Sequence, residues 1–299
     1  MCINRDKKFL NLLTGNDYEG TIEKGCLLHY TSAEAGVNIL RSQKFWLRNA
    51  QLMNDIEELK TGAKAIAKHY FMLGYDELPT KVREIIEQSE EKWGKYTHIL
   101  SLAREEKEYN EAKDGRLSMW RAYGMPYGVA FVFNQKMLCE NIDHKYTIYP
   151  VLYNDENKIK TVLQNIRSAD EKQEFLERLY YLVKHNGFNE ENEWRIVYNS
   201  GKFRCKCSPC PMRDIVAIKG IAQEIVKLPF DLNALERIII GPSANAENIA
   251  DAYRRLVAEA LLKSGNKGKL DKKDGRAKET EAISKAETMV TISSIPYRG

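Results

Sequence analysis

The stretch Gly128-Val129-Ala130-Phe131-Val132-Phe133 constrains this chain more than any other. It is a continuous β-rich apolar run with no polar alternation. Such a run is expected as a central strand of a sheet. A second local signal lies upstream. Cys26-Leu27-Leu28-His29-Tyr30-Thr31 reads as a short strand ending at Thr31-Ser32. A hydroxyl residue before Ala33-Glu34-Ala35 is a good helix cap, and Glu34 suits the first turn. The helix is expected to run to about Arg41, with Val37, Ile39 and Leu40 as its apolar residues. Lys44–Arg48 then forms a second strand.

Further strands are expected at His98–Leu102, Tyr146–Tyr153, Trp194–Tyr198, Ile215–Gly220 and Leu235–Ile240. Helical patterns cover Ile56–Trp93, Leu117–Tyr123, Ile159–Lys184 and Ala246–Leu262. Glu105–Gly115 reads as a polar loop. The fold class is α/β in the α+β sense, a mixed central sheet with helical insertions. Residues 1–25 form a polar lead-in with a short helix near Phe9–Leu13. Residues 26–263 form a single α/β domain with a helical insertion at about 56–93. Residues 264–288 carry many Lys, Asp and Glu with no aromatic residue, and are expected to be a mobile linker. Residues 289–299 return to strand character, docking on the sheet or pairing with another molecule. No repeat recurs at periods of 20–50 residues.

Composition excludes little beyond global disorder. Hydrophobic residues make up 43% and charged residues 29%, enough for a core. The 46 Lys and Arg against 42 Asp and Glu leave +4, too mild a surplus to name or exclude a nucleic-acid partner. No apolar run approaches the roughly 20 residues of a membrane span. The first residues carry charge with no sustained apolar stretch behind it, so no secretion signal is expected. Six cysteines in 299 residues are not a disulfide framework, which points to a reduced, cytoplasmic protein.

Four constellations could carry chemistry. His29, Tyr30 and Thr31 place a ring donor, an aromatic face and a hydroxyl at one strand end, a set that can grip a ribose and stack on a base; the same residues could be core. Glu191 and Glu193 are two apart and would share one side of a strand, with Trp194 behind. Two close carboxylates repel, which raises one pKa, unless Glu193 pairs with Arg195 or Arg121 instead. Trp120 and Tyr123, with Arg121 between, share a helix face that could floor a flat ligand or simply pack. Asn54 and Asp55, with Glu58 one turn on, could bind a polar ligand or cap a helix. Cys205, Cys207 and Cys210 have thiolate spacing but no fourth ligand nearby, so no metal is expected. A metal-dependent nuclease built on Asp55, Glu58, Glu191 and Glu193 would lack a lysine beside the carboxylate pair.

Taken together these pieces resemble a bacterial family catalogued only as a domain of unknown function. The matching motifs are Leu28-His29-Tyr30-Thr31-Ser32, Asn54-Asp55-x-x-Glu58, Ser118-Met119-Trp120-Arg121-Ala122-Tyr123-Gly124, Glu191-x-Glu193-Trp194-Arg195, Ile239-Ile240-Gly241-Pro242-Ser243 and Ser294-Ile295-Pro296-Tyr297-Arg298. The opening His-x-Thr is similar to the start of DNA-modifying ADP-ribosyltransferase toxins, and more distantly to the wider superfamily. That resemblance implies an ADP-ribosyltransferase-like core taking NAD as substrate. It gives His29 the adenosine ribose, Tyr30 or Tyr123 the nicotinamide, and Glu193 the nicotinamide ribose, with Glu191 as the alternate carboxylate. Thr31 would help position the dinucleotide. The acceptor would be a macromolecule, protein or nucleic acid, as in toxins and phage-defence effectors. The alternative is a non-catalytic nucleotide-sensing or protein-interaction module of the same fold.

Overall fold

Cys26–Ser32 is extended because Leu27 on one face and Cys26, Leu28 and Tyr30 on the other are buried, and a strand lies on either side of it. A computed structural model describes residues 25–52, 61–65, 80–87, 94–106, 111–143, 145–153, 156–165, 181–200, 211–218, 220–265 and 275–296, with single positions at 10, 11, 13, 67, 68, 178 and 179. In chain order the elements are β1 (Cys26–Ser32), α1 (Ala33–Ser42), β2 (Lys44–Asn49), α2 (Thr80–Glu87), β3 (Thr97–Arg104), α3 (Glu111–Asp114), α4 (Leu117–Tyr123), β4 (Gly128–Asn134) and α5 (Gln135–Asn141). There follow β5 (Thr147–Pro150), β6 (Leu152–Tyr153), α6 (Glu156–Asn165), β7 (Val183–Lys184), β8 (Glu193–Asn199), β9 (Met212–Ile218), β10 (Ile221–Pro229), β11 (Leu235–Ile240), α7 (Ala246–Gly265), α8 (Gly275–Met289) and β12 (Val290–Ile292). The pairing is mostly antiparallel, giving a mixed α/β protein.

The chain folds into two compact units and passes between them several times. The first holds residues 1–22, 46–101 and 142–228; the second holds 23–45, 102–141 and 229–299. In the second unit the strand order is β12-β11-β4-β1, followed by the last residues of β3. β4 is fully buried between β1 and β11, as its apolar run requires. Ser32 caps α1 by accepting the Ala35 N–H at 3.2 Å. Gln43 ends the helix at φ 49°, its N–H reaching the carbonyls of Ile39 and Leu40. In the first unit β9, β10, β2 and β3 are successive neighbours, and β8 pairs with β3 and β5. A separate two-stranded parallel sheet joins β6 to β7, with Leu152 opposite Val183 and Tyr153 opposite Lys184.

Several sequence expectations are corrected. Residues 275–289, expected within a mobile linker, form α8, because Ala282, Ala286 and Met289 recur at helical spacing and are buried. Small apolar residues on one stripe suffice where large ones are missing. The terminal strand is β12, which pairs in parallel with β11 of its own chain, and Ser293 Oγ and Ser294 N–H then donate to Asp114 O and Oδ1 at 2.6 and 2.7 Å. The helix expected over Ile159–Lys184 is seen as α6 at Glu156–Asn165 and as helical positions 178, 179, 181 and 182, with 166–177 outside the described residues; its far end, Val183–Lys184, is instead strand β7. The expected strand Ile215–Gly220 belongs to a hairpin whose chain reverses at Gly220 (φ 79°) into β10. Within the polar loop expected at Glu105–Gly115, Glu111 is buried in α3 and held by Arg116 at 2.5 and 2.7 Å. Residues 26–263 contribute to both units.

The chain reverses tightly between α4 and β4. A Cβ on Gly128 would come within 2.4 Å of the Gly124 Cα, a backbone atom that cannot move aside. Gly128→Ala is therefore expected to lose roughly 2–4 kcal/mol in urea denaturation. Gly220→Ala, with open space around it but a left-handed φ, should lose only about 1 kcal/mol.

Candidate functional site

The chemistry-bearing residues of the first unit converge where β6, β7 and β8 meet. A 3-10 turn over Asn186–Glu191 ends at Asn192 (φ 42°), and the chain then enters β8 with Glu193. Glu193 is 3% exposed. Arg195, on the same face of β8, donates from Nε to Glu193 Oε1 at 2.8 Å and from Nη2 to Oε2 at 3.1 Å. Lys184 Nζ donates to Glu193 Oε2 at 3.0 Å and to Glu191 Oε2 at 2.7 Å. The remaining Arg195 Nη1 donates to the Tyr181 carbonyl at 2.7 Å. The Glu193 N–H donates to the Tyr153 hydroxyl at 2.6 Å, and Val151 N–H donates to the Glu193 carbonyl at 2.8 Å. Lys184 Nζ also sits 4.8 Å from the centre of the Phe188 ring.

The electrostatics differ from the sequence expectation. Burial alone would raise the Glu193 pKa, but Arg195 and then Lys184 outweigh it and hold the carboxyl at about 2. Glu191 does not raise Glu193, because the Lys184 ammonium stands between them. Glu193 pairs with Arg195, the structural alternative already visible in the sequence. Glu191 ends the 3-10 turn and lies off the strand, yet its carboxylate still meets Glu193 through Lys184. Its side chain is 16% exposed, so it is the member of the pair nearer solvent. Trp194 is buried as expected.

Sequence reasoning missed Lys184. The nuclease reading was set aside for want of a lysine beside the carboxylates, and the fold supplies one. Lys184 bridges both carboxylates, the position a divalent cation would take between them. Among the described residues no group of three or more His, Cys, Asp or Glu is arranged to hold a metal ion.

The other candidates lie in the second unit. His29 is half-buried on β1, its ring edge-on to Phe45 at 5.7 Å. Thr31 is half-buried on the same strand. Tyr30 is buried, edge-on to Trp120 at 4.9 Å, with its hydroxyl accepting the Arg116 N–H at 2.9 Å. Trp120 is 2% exposed; its Nε1 donates to the Asp114 carbonyl at 3.0 Å, and Gly115, Gly124 and Gly241 crowd its ring. Tyr30 and Trp120 thus take the packing alternative and belong to the core, where three glycines let backbone close over the indole. Arg121 and Tyr123 are exposed. Asn54, Asp55, Glu58, Cys205, Cys207 and Cys210 lie outside the described residues.

With this geometry in view, comparison with known proteins adds one match. Residues 119–196 match the family described as protein of unknown function (DUF2971). The matched stretch carries both the Trp120–Gly124 motif and Glu191-x-Glu193-Trp194-Arg195, but it is a minor part of the chain. No curated protein and no solved structure matches. No helix among the described residues is long and apolar enough to cross a membrane.

Removing one partner of a buried ion pair leaves the other charge stranded. Arg195→Met is expected to lose about 3–5 kcal/mol by chemical denaturation at pH 7. Glu193 adds a pH dependence of definite sign. Its folded pKa lies below the ordinary 4.5, so its contribution is full above that pH and is lost as pH falls toward 2. Denaturation curves at pH 7, 4.5 and 3 should show this contribution declining by about 2 kcal/mol, most of it between pH 4.5 and 3, a component absent from Glu193→Gln.

Proposed function

We propose that this chain is an ADP-ribosyltransferase-like enzyme that takes NAD and transfers ADP-ribose to a macromolecular acceptor. The observation that carries the reading is the Glu191–Lys184–Glu193–Arg195 cluster: a partly exposed carboxylate tied through one ammonium to a buried one, at the two positions to which the resemblance gives the ribose-binding carboxylate and its alternate. In the reaction the bond between ribose C1′ and the nicotinamide nitrogen breaks. The electron pair leaves with nicotinamide, and the sugar gains oxocarbenium character. A carboxylate beside it accepts a hydrogen bond from a ribose hydroxyl and stabilises the positive charge. An acceptor nucleophile then bonds to C1′ and releases its proton. Exposure favours Glu191 for contact with the sugar and leaves Glu193 to anchor it through Lys184. The resemblance gives His29 a binding role toward the adenosine ribose.

One observation favours a second reading. Both oxygens of Glu193 are occupied by Arg195 and Lys184, which suits a non-catalytic nucleotide-sensing or protein-interaction module. The two readings separate in one set of measurements. Nicotinamide release from NAD should fall at least about 100-fold in Glu191→Gln while the protein stays folded by circular dichroism. His29→Ala should raise KM for NAD more than it lowers kcat. NAD binding by calorimetry without turnover would select the module. Neither binding nor turnover in the wild-type chain would end the NAD reading.

A further inference from the structure

The β9–β10 hairpin of the first unit carries a feature that the carboxylate cluster does not use. β9 is the last strand on its side of the sheet, with β10 as its one neighbour among the described strands. Its sequence, Met212-Arg213-Asp214-Ile215-Val216-Ala217-Ile218, is mainly apolar, and Ile215 is 74% exposed. Met212 and Ile221 are exposed on the same hairpin. Edge strands are usually blunted by net charge, proline or a covering element. Here both charges on β9 are neutralised from β10. Asp214 pairs with Lys227, and Arg213 Nη1 lies 3.4 Å from Glu224 Oε1.

The ladder fixes which groups face outward. Ile218 pairs with Ile221 across a two-residue connection, and the register runs on to Met212 opposite Lys227. Bonded and non-bonded pairs alternate along an antiparallel ladder. A two-residue connection is closed by a bonded pair. Residues 212, 214, 216 and 218 therefore bond to β10. The N–H and C=O groups of Arg213, Ile215 and Ala217 face the open side. In agreement, the Ile215 N–H is held by Asp214 Oδ1 at 2.9 Å rather than by β10.

We propose that this edge pairs with the same edge of a second copy of the chain, antiparallel and centred on Ile215. A two-fold axis perpendicular to the strands keeps each side chain on its own face, so directly opposed residues must have the same parity. Centring on Ile215 sets Ile215 against Ile215, Arg213 against Ala217 and Met212 against Ile218. All three outward-facing residues of each copy then bond, and apolar side chains meet. Centring on Asp214 would oppose two carboxylates and use fewer outward groups. The neutral, apolar edge is what selects a second copy over a charged partner. The Asp214–Ile215 bond is exchanged for the inter-copy ladder on pairing. Seven residues at about 3.3 Å each give a short interface, so the dimer is weak and concentration-dependent.

Sedimentation velocity of the full chain over roughly 5 to 200 µM reads this directly. The mass should rise from 34.5 kDa toward about 69 kDa, twice that value. Ile215→Lys, which brings two ammonium groups together at the centre, should weaken dimerisation at least about tenfold with an unchanged circular dichroism spectrum. Ile221→Lys alters the hairpin's apolar face but not its edge, and should dimerise as the wild type does. A wild-type chain that stays monomeric throughout overturns the proposal. So does a dimer that survives Ile215→Lys, or one lost equally in Ile221→Lys.

Discussion

Charge burial governs the first unit. Lys184 and Arg195 lie inside it, and burying either charge without a carboxylate at hydrogen-bond distance would be costly. Glu193 answers both, and this fixes the geometry around it. Its backbone must be extended so that Arg195 falls on the same face. β7 must lie beside β6 so that Lys184 reaches it. Asn192 must turn left-handed so that Glu191 can return to the same ammonium. The Tyr153 hydroxyl accepts the Glu193 N–H and is itself pushed above its ordinary pKa range by burial, so it stays neutral. These parts hold together as a network, so the cost of changing one member depends on the others.

The second unit is organised by shape instead. Trp120 occupies a slot whose walls are backbone, at Gly115, Gly124 and Gly241, and Tyr30 closes it edge-on. The Arg116–Glu111 pair lies beside this slot, and the Arg116 N–H ties it to the Tyr30 hydroxyl. Trp120 and Gly124 of the motif are therefore accounted for by packing, whereas Arg121 and Tyr123 are exposed. Gly241 follows from the same contact, since its N–H donates to the Gly128 carbonyl at 2.8 Å.

What could be read from the sequence was what is encoded locally. The Ser32 cap, the apolar run of β4 and the i, i+2 relation of Glu193 and Arg195 all act over a few residues. Lys184 could not be read, because it ends a stretch of helical periodicity and reaches the carboxylates only through the parallel pairing of β6 with β7. That pairing leaves no local pattern. β10 was hidden because Gln223, Glu224 and Lys227 interrupt its apolar residues. α8 was hidden because its buried stripe is built partly on alanines inside a polar composition. For Trp120 the helix was legible, but its burial depends on Gly241, far along the chain.

The same electrostatics bear on how much chemistry the carboxylate pair can do. A carboxylate that already shares an ammonium exerts a weaker field on a developing cation than a free one does. Lys184 therefore attenuates Glu191 while it positions it. If Lys184 moved away from the pair, Glu193 would stay paired, because Arg195 still holds both of its oxygens. The bridge is thus asymmetric: Glu193 has the Arg195 guanidinium as well as the shared ammonium. That asymmetry, set by Arg195 standing two residues along β8, is what would let a buried pair serve an exposed reaction.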